Sequence, residues 1–153
     1  MKRRVYADTS AIGGCCDVEF QHGSIPLFDA FRSGAEILVV SDITIAELEG
    51  APESVRDVLL SVPKEHTELV RFSQEAEDLA EMYLREGVVS RKSRVDAQHI
   101  AIATVCRADV LVSWNFKHIV NLARIHGYCA VNLKLGYPML EIRSPVEVLH
   151  HED

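Results

Sequence analysis

The chain has 153 residues, of which 48% are hydrophobic, and this supports a compact globular fold with one substantial core. Sixteen basic and 23 acidic residues give a formal net charge of −7, which excludes binding to polyanions through overall charge and leaves a local basic groove open. There is no apolar run of about 18 residues and no secretory signal pattern, so we expect a cytoplasmic protein without a membrane association and a single domain over residues 1–153.

The cysteine spacing predicts reduced thiols. Cys15, Cys16, Cys106 and Cys129 form no C-x-x-C pair, and adjacent cysteines are poorly placed to pair with each other. A zinc site made of Cys15, Cys16 and His22 is an alternative of suitable ligand types, but it lacks the second spaced pair that structural zinc sites have.

The first half of the chain alternates between predicted strands and helices. Residues 3–7 form a short strand candidate that ends at Asp8, and residues 25–32 have the apolar spacing of a helix that Gly34 ends. The continuous apolar run 37–41 is typical of a strand covered on both faces.

The same alternation continues through the second half. Ser41 or Asp42 can cap a helix over 43–49, in which Glu47 is the inward candidate and Glu49 the solvated one. Pro52 suits the first turn of a further helix, whose apolar side is Val55, Val58, Leu59 and Leu60, and the segment 68–72 is ambiguous. The remaining predicted elements are helices over 73–86, 95–107 and 119–126, strands over 110–113 and 129–132, and a tail of short extended pieces. Gly127 is predicted to end the helix before the last strand.

This alternation predicts an α/β domain with a parallel sheet, and it places oxygen-bearing side chains at one edge. Asp8 ends the first strand, Glu47 follows the second, Asn115 follows the third, and Asp96 lies on the helix between. Ligand sites collect at the carboxyl ends of parallel strands. Local explanations stay open, since Asp8 could only open a turn and Asp96 could only interact with a helix dipole.

Clustered carboxylates need a compensating charge. Two carboxylates about 4 Å apart repel by roughly 4 kcal/mol at an effective dielectric constant near 20. All-oxygen ligands favour Mg²⁺ or Mn²⁺ over zinc. Such a cation polarises a phosphate and lowers the pKa of a bound water, which suits phosphodiester hydrolysis.

Four segments in order resemble the successive motifs of PIN-domain proteins, and these are YADTS, TIAELEG, DAQHIAIAT and LVSWNFKH. The segment NLKLGYPMLEIRSPVEV is also similar to one bacterial branch of that family. The resemblance implies a three-layer α/β/α fold with a central, mostly parallel sheet and an Mg²⁺- or Mn²⁺-dependent ribonuclease site. Many bacterial relatives are toxins of the virulence-associated protein C type that a small antitoxin holds inactive, and family analogy also implies a homodimer.

Carried over by position, Asp8, Glu47 and Asp96 resemble the three core acids and metal ligands of the family. Asn115 completes the catalytic set at a position where many members have Asp, and His118 lies where a further acid often occurs. An Asn can ligate through its carbonyl oxygen but adds no negative charge. The expected number of metal ions, one or two, therefore stays open.

Several further residues are candidates for substrate contact. Thr9 or Ser10 is expected to support the site through its hydroxyl, and Arg91, Arg94 and Lys117 are candidates for contact with the RNA backbone. A solvated surface is the alternative for the basic residues. For His99 we favour an indirect or core position over ligation, and for Trp114 both packing and stacking on a base are open.

Three functions follow as hypotheses. The first is an Mg²⁺- or Mn²⁺-dependent endoribonuclease, the toxin of a toxin–antitoxin pair. The second is a catalytically weak PIN-fold module that binds protein or RNA. A phosphoacceptor receiver domain is disfavoured, because Asp8 has no adjacent acid and no second strand-end carboxylate serves as phosphoacceptor.

Overall fold

Five strands form the central sheet of the computed structural model, which describes residues 2–149. They are β1 Arg4–Ala7, β2 Ile37–Ser41, β3 Thr67–Val70, β4 Val110–Val112 and β5 Glu141–Arg143. All neighbouring pairs are parallel, in the order β3-β2-β1-β4-β5. The parallel sheet predicted from the sequence is therefore confirmed.

Eight α-helices accompany these strands within residues 2–149, together with 3-10 turns at Gly14–Cys16, Lys64–His66 and Arg91–Ser93. The α-helices are α1 Thr9–Gly13, α2 Gln21–Ser33, α3 Asp42–Leu48, α4 Glu53–Leu60, α5 Gln74–Arg85, α6 Arg94–Val105, α7 Leu122–Lys134 and α8 Pro145–Leu149. None of the helices in this part of the chain is both long and apolar enough to cross a membrane.

The alternation of side chains along the strands separates the core into two layers. Tyr6 and Leu111 lie in a cluster with buried residues of α5, α6 and α7. Their neighbours Val5, Leu38 and Val110 lie in a second cluster with residues of α1, α2 and α8. Because successive strand residues point to opposite faces, both faces of the sheet are covered, and the α/β/α layering is confirmed.

The start and end signals of several helices are confirmed. The Ser41 hydroxyl accepts a hydrogen bond from the Thr44 N–H and caps α3, and Ser73 caps α5 in the same way. Gly34 ends α2 with a φ of 81°, a left-handed conformation that suits glycine.

The predicted helix end at Gly127 and the predicted strand over 129–132 are wrong. One helix, α7, runs through both and ends near Gly136, where φ is +86°. Gly127 does not end the helix, because it is the point where α7 approaches Val88. A Cβ at Gly127 would lie 2.9 Å from Val88 Cγ1.

The sheet also extends further than predicted. The ambiguous segment 68–72 contributes to the edge strand β3, and the tail contributes β5 and α8. β5 pairs with β4, with Leu111 opposite Ile142. The sheet therefore has no strand at 129–132, and its last strand is β5 from the tail.

Candidate active site

The candidate site lies where the strand order reverses. From β1 the chain proceeds outward through β2 and β3 on one side, then returns to place β4 and β5 on the other. In open parallel sheets the crevice at the carboxyl ends of the strands at such a point is the usual ligand site. Asp8 follows β1 and Ser113 follows β4 at this crevice.

The Asp8 carboxylate is buried and accepts three hydrogen bonds. Its Oδ1 accepts the Ala11 N–H at 2.9 Å and the Ser10 hydroxyl at 2.7 Å, and its Oδ2 accepts the Ser113 hydroxyl at 2.6 Å. The side chain therefore caps α1, as the turn-opening interpretation predicted, and it also joins the ends of β1 and β4. These bonds fix the orientation of the carboxylate.

Asp96 lies half-buried in the first turn of α6. Burial raises the pKa of its carboxyl group, and the negative charge of Asp8 adds to that rise, while His118, His99 and Asn115 counteract it. The two acids are therefore close enough for their charges to interact. Of the three predicted metal ligands, Asp8 and Asp96 are therefore the two whose charges interact in the structure.

Asn115 presents its amide group rather than a free carbonyl. Its side-chain Oδ1 accepts the backbone N–H of His118 at 2.9 Å, and the backbone N–H of Asn115 donates to Ser113 Oγ at 2.9 Å. Since only oxygen can accept that bond, the orientation of the side-chain amide follows. The NH₂ group remains for Asp96, whose charged form it favours.

Glu47 reaches the crevice from α3. Its Oε1 accepts the Thr9 hydroxyl at 2.7 Å and lies 2.7 Å from His99 Nε2. Burial alone would raise the pKa of Glu47, but the hydrogen bonds from His99 and Thr9 outweigh it and lower the pKa. Its side chain is 38% exposed, so the carboxylate lies at the boundary between core and solvent.

Three contributors were missed in the sequence. The sequence predicts Ser113 only as the end of a strand, Ser41 only as a helix cap and Tyr6 only as part of a strand, whereas all three place buried hydroxyl groups at or next to the site. For Ser113 a signal existed, because it follows an apolar strand at the same edge as Asp8. The position of His99 matches the indirect one that we favoured, since its ring contacts Glu47.

The basic residues proposed for phosphate contact lie on the surface. Arg91 and Arg94 both pair with Glu81, at 2.9 and 3.2 Å. Lys117 is exposed in the loop after β4. The two arginines therefore have a partner on α5 that RNA would have to displace, while Lys117 forms no side-chain ion pair within residues 2–149.

Trp114 is a packing residue. It is 8% exposed, its Nε1 donates to Ser24 Oγ at 2.8 Å, and its ring stacks on Phe20 at 4.6 Å. Gly14 and Gly23 make room for the indole, since a Cβ at either would lie under 3.0 Å from it. Stacking of an RNA base on this indole face is therefore blocked by the protein itself.

The zinc alternative finds no support. Burial raises the pKa of the Cys15 thiol to about 11, which disfavours the thiolate that zinc requires. All four cysteines are free thiols. Within residues 2–149, no group of three His, Cys, Asp or Glu side chains is arranged to hold a metal ion. The three predicted ligands Asp8, Glu47 and Asp96 therefore do not form such a group in this conformation.

The Asp8–Asp96 pair nevertheless has the chemistry of a site for a hard cation. It offers two carboxylates and no thiolate, and burial together with the Asp8 charge raises the pKa of Asp96 in spite of His118, His99 and Asn115. Glu47 is connected to the pair through Thr9, the residue next to Asp8. Carboxylate oxygens are the ligand type that Mg²⁺ and Mn²⁺ prefer, and Asp8 and Asp96 are the side chains that would offer them here.

The chain belongs to the structural class of parallel α/β/α domains with acidic residues at the switch point of the sheet. No protein-family model and no curated protein matches it. Two solved structures are similar to it. One is the Mycobacterium tuberculosis toxin VapC20, which cleaves the sarcin-ricin loop, with a TM-score of 0.56, 13% identity, and coverage of 74% of this chain and 92% of that one.

The other is a chain of VapBC2 from Rickettsia felis, solved bound to a DNA fragment from their promoter. Its TM-score is 0.56 at 15% identity, and the alignment covers 91% of this chain and 98% of that one. The chain therefore has the VapC-type PIN-domain fold that the sequence motifs predicted.

Proposed function

We propose that the chain is an Mg²⁺- or Mn²⁺-dependent endoribonuclease that hydrolyses RNA phosphodiester bonds. The observation that carries the proposal is the pair of Asp8 and Asp96, whose charges interact at the switch point of a VapC-type sheet. A half-buried acid whose charged form remains disfavoured at this place is costly for the fold alone and useful for binding a cation.

In this proposal each side chain has a separate task. Asp8 and Asp96 hold the cation, which when bound polarises the scissile phosphate and lowers the pKa of the attacking water. Glu47 offers its half-exposed carboxylate to the same crevice. The Asn115 amide, next to Asp96, is a hydrogen-bond donor for a non-bridging phosphate oxygen, and exposed Lys117 is a partner for the flanking backbone.

We further propose that the protein acts as a cytoplasmic toxin, forms a homodimer and is held inactive by a small antitoxin. The toxin and antitoxin parts are supported by similarity of fold to VapC20, which is described as a toxin, and to VapBC2, whereas the homodimer and the location rest on the family resemblance alone. Copurification of a small partner from the native host, and the mass of the purified protein in solution, test these two parts separately.

The central experiment is cleavage of a mixed RNA pool with Mn²⁺ and with EDTA. We expect Mn²⁺-dependent cleavage that Asp8→Asn and Asp96→Asn each reduce at least about 100-fold, because each removes one charge from the pair. Asp29→Asn is the matched control, since it removes an exposed carboxylate on α2 and is expected to cleave like the wild type. Cleavage that survives EDTA or Asp96→Asn would contradict the proposal.

A catalytically weak binding module is the second candidate. It is favoured by the uncharged Asn115 and by the lack of a three-ligand group within residues 2–149. Calorimetric titration with Mn²⁺ separates the two functions. Absence of Mn²⁺ binding near neutral pH, together with absence of cleavage, would support the module over the enzyme.

A further inference from the structure

A chain of buried hydrogen bonds leads from the core to Glu47. The Thr44 N–H donates to Ser41 Oγ at 3.3 Å, and Ser41 Oγ lies 2.7 Å from the Tyr6 hydroxyl. The Tyr6 hydroxyl lies 2.7 Å from His99 Nδ1, and His99 Nε2 lies 2.7 Å from Glu47 Oε1. We call this set of five residues the Tyr6–His99 chain.

The direction of the donors follows from its two ends. At one end a carboxylate can only accept, so His99 Nε2 carries a hydrogen. With that hydrogen on Nε2, Nδ1 is the ring position that can accept the single hydroxyl hydrogen of Tyr6. Because Tyr6 has no second hydrogen, the Ser41 hydroxyl is then the donor between Ser41 and Tyr6. Ser41 Oγ itself accepts the Thr44 N–H and also lies 3.3 Å from the Thr44 hydroxyl, so the donors from Ser41 onward point toward Glu47.

The five residues differ in burial, and only Glu47 is accessible from the crevice. Tyr6, Ser41 and Thr44 are 0% exposed and His99 is 3% exposed, whereas the Glu47 side chain is 38% exposed. The first four therefore do not touch a substrate in this conformation. Any influence that they have on chemistry passes through the Glu47 carboxylate.

The geometry at Glu47 shows what the chain controls. Oε1 accepts two hydrogen bonds, from Thr9 and His99, while Oε2 accepts none from residues 2–149. Two donors on one oxygen fix the rotation of the carboxylate and leave the second oxygen for the crevice. Without His99, only the exposed Thr9 hydroxyl would hold a flexible Glu side chain.

We infer that Tyr6 and His99 are positioning residues that hold Glu47 with Oε2 directed into the crevice. The inference rests on the proposed nuclease function and goes beyond it by assigning buried groups outside the acidic set. Hydrogen-bond partners that orient an active carboxylate typically change affinity or activity by about 10- to 100-fold when removed.

The test compares purified variants of the full chain. His99→Leu removes the donor to Glu47, Tyr6→Phe removes the group that fixes the tautomer of His99, and His99→Gln restores a donor near Nε2. Tyr83→Phe is the matched control, because Tyr83 is also fully buried and hydrogen-bonded, to Asn132, within the same core cluster. Circular dichroism confirms that each variant is folded.

In Mn²⁺-dependent RNA cleavage we expect His99→Leu to lower kcat by about 30-fold and Tyr6→Phe by about 10-fold, with KM changed less than about 2-fold. His99→Gln should recover part of the lost kcat, and Tyr83→Phe should have the kcat of the wild type. A purely structural chain predicts instead that Tyr6→Phe and Tyr83→Phe behave alike, and that result would overturn the inference.

A second measurement needs neither metal nor activity. Long-range ¹H–¹⁵N spectra report which imidazole nitrogen carries a hydrogen, and we expect a hydrogen on His99 Nε2 in the wild type. A hydrogen on Nδ1 alone would overturn the inference. A wild type that does not cleave RNA would refute the proposed function, whereas active wild type with unaffected His99 and Tyr6 variants would refute the positioning role alone.

Discussion

Asp8 and Asp96 have opposite energetic situations although both belong to the candidate site. Asp8 accepts three hydrogen bonds, which stabilise its carboxylate, whereas burial and the nearby Asp8 charge disfavour the carboxylate of Asp96. Removing one negative charge should therefore change stability in opposite directions at the two positions. This contrast gives two predictions that need no knowledge of the substrate.

We expect Asp96→Asn to stabilise the metal-free protein at pH 7, by about 1–3 °C in Tm, even though the same substitution is expected to lower the proposed cleavage. The folded-state pKa of Asp96 lies above its ordinary value of 3.8, so the folded state binds the proton more tightly. The penalty is absent below about pH 4 and grows as pH rises through the folded-state pKa. Thermal unfolding of both proteins between pH 3.5 and 7 measures it, and an advantage that is larger at pH 3.5 would contradict this sign.

We expect Asp8→Asn to destabilise the protein by about 1–2 kcal/mol, because hydrogen bonds to a charged acceptor are worth more than those to an amide. The variant can still cap α1 through its amide oxygen, so the fold should be retained. Urea unfolding at pH 7 checks the value, and Asp96→Asn is the control for the same chemical change. Equal stability changes in both variants would show that their environments do not differ as described.

The acids of the site could be predicted from the sequence, but their supports could not. Asp8 and Glu47 follow apolar runs, and that position alone puts them at the carboxyl edge of a parallel sheet. Tyr6 lies inside such a run, where an aromatic residue is expected for packing. That its hydroxyl meets His99 depends on how α6 packs over β1, and no local pattern encodes that distance.

At the scale of elements, α7 shows where local signals fail. Gly127 is a frequent helix end, and the apolar residues 128–131 resemble a strand, so the sequence favoured a break. Packing overrides both signals. Asn132 is fully buried in α7 and hydrogen-bonds Tyr83 of α5 and Thr104 of α6, which requires a continuous helix to this point.

We expect Gly127→Ala to destabilise the protein by about 1 kcal/mol. Alanine improves helix propensity by about 0.8–1.0 kcal/mol, but its Cβ would lie 2.9 Å from Val88 Cγ1, and overpacking costs about 1–3 kcal/mol. The opposite sign is expected when Val88 is already Ala, because the clash is then gone and the propensity gain remains.

A double-mutant cycle of Gly127→Ala and Val88→Ala, followed by urea unfolding, measures the coupling. We expect an interaction energy of at least about 1 kcal/mol, since the two residues are in contact. Gly87→Ala tests the method's selectivity: its Cβ would meet nothing within 4 Å, so any cost there comes from its φ of +73° and not from Val88. Additive effects of Gly127→Ala and Val88→Ala would rule out the clash.

At the scale of the whole molecule, the fold class was predictable and the full sheet was not. Strand and helix patterns alternate along the chain, and parallel strands joined by helices follow directly. The two edge strands are harder, because β3 and β5 are short and mostly incompletely buried, so they lack the continuous apolar run of β2. Their place is set by pairing with β2 and β4, which is non-local information.

Binding of the proposed cation should be visible as stability of the entire chain. At a Mn²⁺ concentration about 100 times the dissociation constant, a ligand of the folded state adds about 2.7 kcal/mol. For a chain of this size that corresponds to an increase in Tm of about 5–10 °C. The physical source is that a bound cation would stabilise the charged form of Asp96, which burial and the nearby Asp8 charge disfavour.

Differential scanning calorimetry with Mn²⁺, followed by EDTA, measures this increase and its reversal. We expect it to be lost in Asp8→Asn and Asp96→Asn and retained in Asp29→Asn, whose exposed carboxylate lies on α2. Glu47→Gln tests whether Glu47 is a direct ligand of the cation, as the family resemblance implies: a direct ligand would lose most of the increase on substitution, and a residue that does not bind the cation would leave the increase unchanged. An increase of equal size in the wild type and Asp96→Asn would place the cation elsewhere on the protein.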